Sequence, residues 1–228
     1  MENNIELKNQ KILIFGGILL ILICVLAHCI NRLCFENKLI KIDKLFGSES
    51  FITVNNNKVG PDYNLTYGEL TWNGMENIGK YMELKDLPKK TFIDLGSGNG
   101  RTLTYAILNG FKEAKGTEIV QARHDYAMKT REKLDKYMRD KIKLSKSDLF
   151  KLSPSYFPTG SVVFISNLVF SEKTNQKLIN FLSEITPSDT IIILSTLPKD
   201  MSNFKVIEKI DAPMSWSKTS HCYVLGKK

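Results

Sequence analysis

The chain has 228 residues, 43% of them hydrophobic and 25% charged, which suffices for one α/β domain with a short appendage and argues against disorder. Its formal net charge of +8 permits contact with nucleic acid, chromatin or an anionic membrane surface, but the densest basic run, Lys129–Lys146, is interleaved with Glu132, Asp135 and Asp140 and reads as a solvated helix face. Cys24, Cys29, Cys34 and Cys222 lack metal-ligand spacing and do not cluster with His28, His124 or His221, so the sequence points to neither a metal nor a disulfide framework and fits a reducing compartment.

Residues 1–11 read as an N-terminal tail. From Ile12 to Ile30 the chain carries no Asp, Glu, Lys or Arg. As a helix this run would extend roughly 28 Å, the hydrocarbon thickness of a bilayer, and it predicts a single transmembrane helix over 12–30. A cleavable signal peptide is the rival reading, but the run is long for one and has no convincing small-residue cleavage site. Lys8 and Lys11 precede the span, whereas Arg32, Lys38, Lys41 and Lys44 follow it, and this excess places the large domain in the cytosol of a single-pass membrane protein. Glycosylation at Asn64-Leu65-Thr66 would report the opposite orientation. Residues 31–60, with Gly47-Ser48 and the Asn55–Asn57 run, read as a linker into a domain spanning 61–228.

Within that domain strands and helices alternate. Thr91–Leu95 is a buried strand and Arg101–Asn109 a helix stopped by Gly110. Ala114–Ile119 is a second strand, followed by one long charged helix over Ala122–Lys143. Ile142–Ser145 and Ser161–Ile165 are further strands, Glu172–Ile185 a helix, and Thr190–Leu194 an isoleucine-rich strand. Phe204–Ile210 and Ser220–Leu225 alternate as a closing antiparallel pair. Strands joined through helices require right-handed crossovers and a mostly parallel sheet covered on both faces, with ligand at the carboxyl ends of the strands.

The most specific segment is Phe92-Ile-Asp-Leu-Gly-Ser-Gly-Asn-Gly-Arg101, in which an apolar strand turns through Gly96, Gly98 and Gly100 into a helix. Glycines let the backbone turn tightly beside a ligand, and the helix start offers free N–H groups. Asp94 two residues before the first glycine, and Gly-x-Gly-x-Gly spacing, differ from the dinucleotide fingerprint. The segment resembles the first motif of class I S-adenosylmethionine-dependent methyltransferases, which implies their Rossmann-like seven-stranded fold. Glu118, ending the second strand, can accept hydrogen bonds from both ribose hydroxyls. Asp148, after the third strand, stands where related enzymes bind adenine, although it also suits a helix cap before Leu149.

Three further segments sharpen the resemblance: Tyr67-Gly-Glu-Leu-Thr71, Ser166-Asn-Leu-Val-Phe170, and Ser215-Trp216 with Tyr223. Together with the glycine turn they resemble the catalytic core of the disruptor-of-telomeric-silencing family, histone-lysine methyltransferases without a SET domain, over residues 65–226. The resemblance implies that Tyr67, Glu69 and Thr71 fold over the cofactor. It likewise gives the methionine moiety to Asp94, Gly96 and Gly98, the ribose to Glu118, and the adenine to Asp148 and Leu149. Asn167 and Phe170 would stand beside the transferable methyl, with Asn167 also touching the cofactor, and Tyr223 would line the lysine channel. Ser166 departs from the family, which has a second Asn there.

The residue chemistry is compatible with that assignment. Transfer from a sulfonium depends mainly on alignment, and an aromatic channel desolvates a lysine ammonium and lowers its pKa. The family's helical region ahead of the core is replaced here by a membrane span, so a protein-lysine acceptor is better supported than a histone. Rival readings are a membrane-anchored class I enzyme acting on a membrane or mitochondrial protein, and a catalytically silent adaptor that retains the cofactor pocket. A nucleic-acid amino-methyltransferase would carry Asp/Asn-Pro-Pro-Tyr where this chain has Ser166–Phe170.

Overall fold

An apolar helix with no amphipathic face can be stable only where all its sides meet apolar surroundings. The computed structural model describes residues 2–47, 68–83, 86–201 and 203–228, with side chains described from residue 16 onward. Helix α1 runs from Glu2 to Phe46. The large hydrophobic side chains from Ile18 to Leu33 are at least 51% exposed, and the helix over Gly16–Phe46 is long and apolar enough to cross a membrane. The linker expected from residue 31 does not begin there, because α1 continues to Phe46. Over that last stretch Phe35, Leu39, Ile42 and Phe46 lie on one stripe and are withdrawn from solvent, so the helix changes from apolar all round to one-sided. The chain divides into two compact units after Gly47.

The second unit is built on a seven-stranded sheet: β1 Thr91–Leu95, β2 Glu113–Glu118, β3 Ile142–Lys146, β4 Val162–Ile165, β5 Ile191–Leu194, β6 Phe204–Asp211 and β7 His221–Lys227. Their order is β3-β2-β1-β4-β5-β7-β6. The first five pair in parallel; β7 inserts antiparallel between β5 and β6, and a β-bulge interrupts the β6–β7 register between Val206 and Glu208. The expected α/β architecture is therefore present, with every expected strand within two residues of its place.

Crossover direction sorts the helices. α3 (Arg101–Leu108), α4 (Gln121–Arg131) and α5 (Lys136–Lys141) connect strands that step outward from β1 in one direction, whereas α6 (Glu172–Ile185) connects β4 to β5 in the other. Right-handed crossovers then put α6 on the opposite face. On the α6 face, Ile93, Leu95, Val163, Ile165, Ile192 and Leu194 pack with Leu178, Ile179 and Leu182 in one fully buried cluster. On the other face, Phe92 stacks on Phe164 at 6.2 Å and meets Phe111 edge-on at 5.1 Å. Each such aromatic pair adds about 1 kcal/mol beyond its buried area.

Two helical features differ from expectation. Helix α2 (Trp72–Glu83) was not foreseen, because Gly74 and Gly79 depress its intrinsic propensity. Tertiary packing overrides that: Met75, Ile78 and Met82 are fully buried on one face, and a Cβ at Gly79 would lie 2.2 Å from the Asn109 side-chain oxygen. The single helix expected over 122–143 is two. Asp135 accepts a hydrogen bond from the Met138 N–H at 2.9 Å and starts α5 afresh, while Leu134 is buried in the break. Asp135→Ala should cost about 1 kcal/mol and lower the midpoint of thermal unfolding by about 2–4 °C, as read by circular dichroism.

Candidate active site

At the carboxyl end of β1 the chain turns through Gly96, Gly98 and Gly100, with φ of 94°, 53° and 83°, conformations that favour glycine. The Gly96 and Ser97 N–H groups both donate to the Thr117 carbonyl at 2.9 Å, which ties the turn to β2. A Cβ at Gly96 would meet nothing within 4 Å, so the turn borders open space. Glu118, 4% exposed at the end of β2, binds the turn from the other side. Its Oε2 accepts from the Gly98 N–H and its Oε1 from the Val120 N–H, both at 2.8 Å. Each carboxylate oxygen keeps further acceptor capacity.

Asp94 is 4% exposed and its carboxyl is pushed up to about 8. Burial is the main cause, the nearby charges of Glu118 and Glu69 add to it, and a hydrogen bond from Thr102 opposes it. Glu69 is buried, and its Oε2 faces Arg101 Nε at 3.4 Å. Thus Glu69, Asp94 and Glu118 form a buried acidic group that Arg101 offsets only in part. Arg101 was not singled out from sequence; its place at the first turn of α3, beside the glycines, is the signal that could have found it.

Glu69 is held from the far end of the domain. Its N–H donates to Ser215 Oγ at 3.0 Å, and its carbonyl accepts from the Ser215 N–H at 2.8 Å. Thr71 donates through N–H and Oγ1 to the Pro213 carbonyl, at 3.0 and 2.8 Å. Trp216 lies across Gly68, where a Cβ would come within 2.1 Å of its ring. The structure thereby brings together the separate segments around Glu69 and Trp216 that the sequence had singled out. Tyr67 lies outside the described residues.

Asn167, fully buried, acts as a clamp at the end of β4. Its Nδ2 donates to Asn175 Oδ1 at 2.7 Å and to the Thr196 carbonyl at 2.9 Å, while its Oδ1 accepts from the Thr196 N–H at 3.1 Å. Both amide hydrogens are thus engaged within the protein. Asn175 also donates to the Phe170 carbonyl at 3.3 Å, fixing the turn that carries Phe170. Phe170 and Tyr223 are both partly buried against the α6-face cluster, as is Leu149. Asp148 accepts from the Phe150 N–H at 3.0 Å and caps a short 3-10 turn over Leu149–Lys151, which realises the capping role weighed above. The Tyr223 hydroxyl meets His221 Nε2 at 3.2 Å, a partner that sequence reading missed although the two share one strand face at i and i+2. Among the described residues no group of His, Cys, Asp and Glu could hold a metal ion.

Against known proteins, residues 53–225 match the family described as histone methylation protein DOT1. No curated protein sequence matches the chain. Among solved structures it is similar to a putative methyltransferase, yhhF, from Escherichia coli, with TM-score 0.53 and 14% identity over 74% of this chain and 89% of that one. It is similar also to the methyltransferase domain of a bacterial protein, CtHen1-C, with TM-score 0.53 and 16% identity over 69% of this chain and 99% of that one. Magnesium protoporphyrin IX methyltransferase from Synechocystis PCC 6803 gives TM-score 0.51 and 15% identity over 68% and 77%. At these identities the likeness establishes the fold.

The buried acidic group has a measurable consequence. Asp94 keeps its proton up to about pH 8 in the folded chain but loses it near pH 4 when unfolded. Between those values the folded state binds more protons, so this group's contribution to stability falls as pH rises and levels off above about 8. Asp94→Asn should remove that slope, and the variant's denaturation midpoint should exceed the parent's increasingly from pH 5 to pH 8.

Proposed function

This chain belongs to the DOT1 histone methylation family, and we propose from that premise that it transfers a methyl group from S-adenosylmethionine to a protein lysine, with helix α1 holding the domain at a membrane. The observation that carries the cofactor assignment is the buried acidic group beside the open turn at Gly96. Glu69, Asp94 and Glu118 would be poorly stable together without a cation, and S-adenosylmethionine brings a sulfonium and an ammonium. The residues present therefore fit the group. When bound, S-adenosylmethionine supplies an electrophilic methyl on positively charged sulfur.

The chain's own residues divide the remaining work. Asp94, Gly96 and Gly98 border the methionine end, and Glu69, with Thr71 anchoring its segment, closes over it. Glu118 retains acceptor capacity for the ribose hydroxyls on a carboxylate already oriented by Gly98 and Val120. Leu149 offers an apolar surface to the adenine ring, with Asp148 shaping the turn that presents it. Asn167 keeps the Phe170 turn in place through its bonds to Thr196 and Asn175. Phe170 and Tyr223 narrow the approach, so an entering ammonium loses water and more readily gives up its proton. Alignment of a neutral amine with the methyl then carries the transfer step itself, and no carboxylate pair or nucleophilic triad is required for it.

Family membership supports a protein acceptor. The exposed apolar stretch of α1 favours one at or near a membrane over a freely soluble one. The basic excess after the span supports a domain on the cytosolic side.

Two measurements test this reading. Cofactor affinity, by calorimetry on the detergent-solubilised chain, should rise about tenfold from pH 6 to pH 7, where the cofactor's own ammonium stays charged, as the cation displaces the Asp94 proton. Asp94→Asn should abolish that rise. With methyl-tritiated S-adenosylmethionine, the chain should label lysine in nucleosomes or a membrane-protein extract, and Gly98→Arg should stop it. Absence of cofactor binding, or labelling that survives Gly98→Arg, would refute the assignment.

A further inference from the structure

His221 and Tyr223 sit two residues apart on β7, so both side chains project from the same sheet face. Their rings meet edge-on at 5.4 Å, with the Tyr223 hydroxyl 3.2 Å from His221 Nε2. Both are part-exposed, and Tyr223 is opposite Leu194 at the carboxyl end of β5, the end of the sheet at which the glycine turn lies. The charged groups facing the pair come from β6. Asp211 is opposite His221, and Lys209 is opposite Tyr223 with its Nζ 5.9 Å from the ring centre; β5 presents only Leu194 to Tyr223.

A lysine substrate presents a chemical problem that the residues assigned above do not solve. The amine must lose a proton before it can attack, and desolvation favours that loss without supplying an acceptor. We propose that His221 is that acceptor, acting through the Tyr223 hydroxyl as a positioning and relay residue; the inference rests on the lysine-transfer reading. One ammonium N–H bond breaks and its proton passes to the Tyr223 oxygen, while the Tyr223 hydroxyl proton passes to His221 Nε2. The products are a neutral amine, a neutral phenol and an imidazolium. The part-exposed ring then returns that proton to water, which closes the cycle. The neutral His221 must carry its own proton on Nδ1, leaving Nε2 free to accept.

The test uses the full chain in detergent micelles, saturated with methyl-tritiated S-adenosylmethionine, with recombinant nucleosomes and a membrane-protein extract as acceptors. His221→Gln retains a side-chain acceptor for the Tyr223 hydroxyl but cannot take up a proton near neutrality. Its kcat/KM should fall about a hundredfold at pH 7, the low end of the range typical of general base removal. The deficit should narrow toward pH 9.5, where the neutral fraction of the acceptor amine in solution is roughly two orders of magnitude larger than at pH 7, and cofactor affinity should not change. Nitrogen NMR should find neutral His221 protonated on Nδ1. A pH profile of His221→Gln parallel to that of the parent, or a neutral His221 protonated on Nε2, overturns the relay while leaving the methyltransferase reading intact. No lysine labelling by the parent chain overturns the transfer reading and the relay with it.

Discussion

The site depends on one carboxylate. Glu118 takes hydrogen bonds from the N–H groups of Gly98 and Val120, and so joins the turn after β1 to the turn after β2. Charge-assisted bonds of this kind are roughly twice as strong as neutral ones, and here they form with the acceptor almost fully buried. They lie at the carboxyl end of the sheet, next to the crevice where strand order reverses between β1 and β4. Everything placed around that crevice inherits its geometry: the glycine turn directly, Asp94 through the turn, and Arg101 through the start of α3. The same carboxylate raises the electrostatic cost of Asp94 ionisation. One buried charge therefore both ties the two turns together and holds the Asp94 carboxyl up.

What could be read from the sequence was whatever local pattern determines alone. The strand before Gly96 is five consecutive buried residues bounded by turn signals, and α6 runs from Glu172 to Ile185 as expected. The places of Asp94 near the end of β1 and of Glu118 at the end of β2 were legible because they follow from strand and turn lengths. Features set by distant partners were not legible. Helix α2 contains two glycines and is stabilised by what its apolar face meets. The seam between residues 68–71 and 213–216 joins positions more than 140 apart in sequence. Asn167 could be chosen as a site residue from its motif, yet its amide is taken by Thr196 and Asn175, a fact no motif encodes. The histidine beside Tyr223 was visible as an alternation but lacked a reason to be noticed until the rings were seen to touch.

The distribution of charge separates roles that the net value of +8 merges. Lys136 pairs with Asp140 and Arg131 with Glu132 on the α4–α5 surface, exposed contacts worth little to stability. Acidity is instead concentrated where water is excluded, beside the glycine turn. A basic exterior around an acidic crevice is consistent with a cationic cofactor and imposes no requirement for nucleic acid.

The bulge in β6 has a bearing on how the molecule survives crowding. β6 is an outer strand of the sheet, and its unpaired backbone would invite another chain to extend the ladder. Val206 and Ile207 are exposed there, which would make the invitation stronger. The register slip between Val206 and Glu208 twists the strand out of line, and Lys205, Glu208 and Lys209 add ionic groups along it. The sheet is thus guarded against edge-to-edge aggregation by a defect in the regularity of its last hairpin.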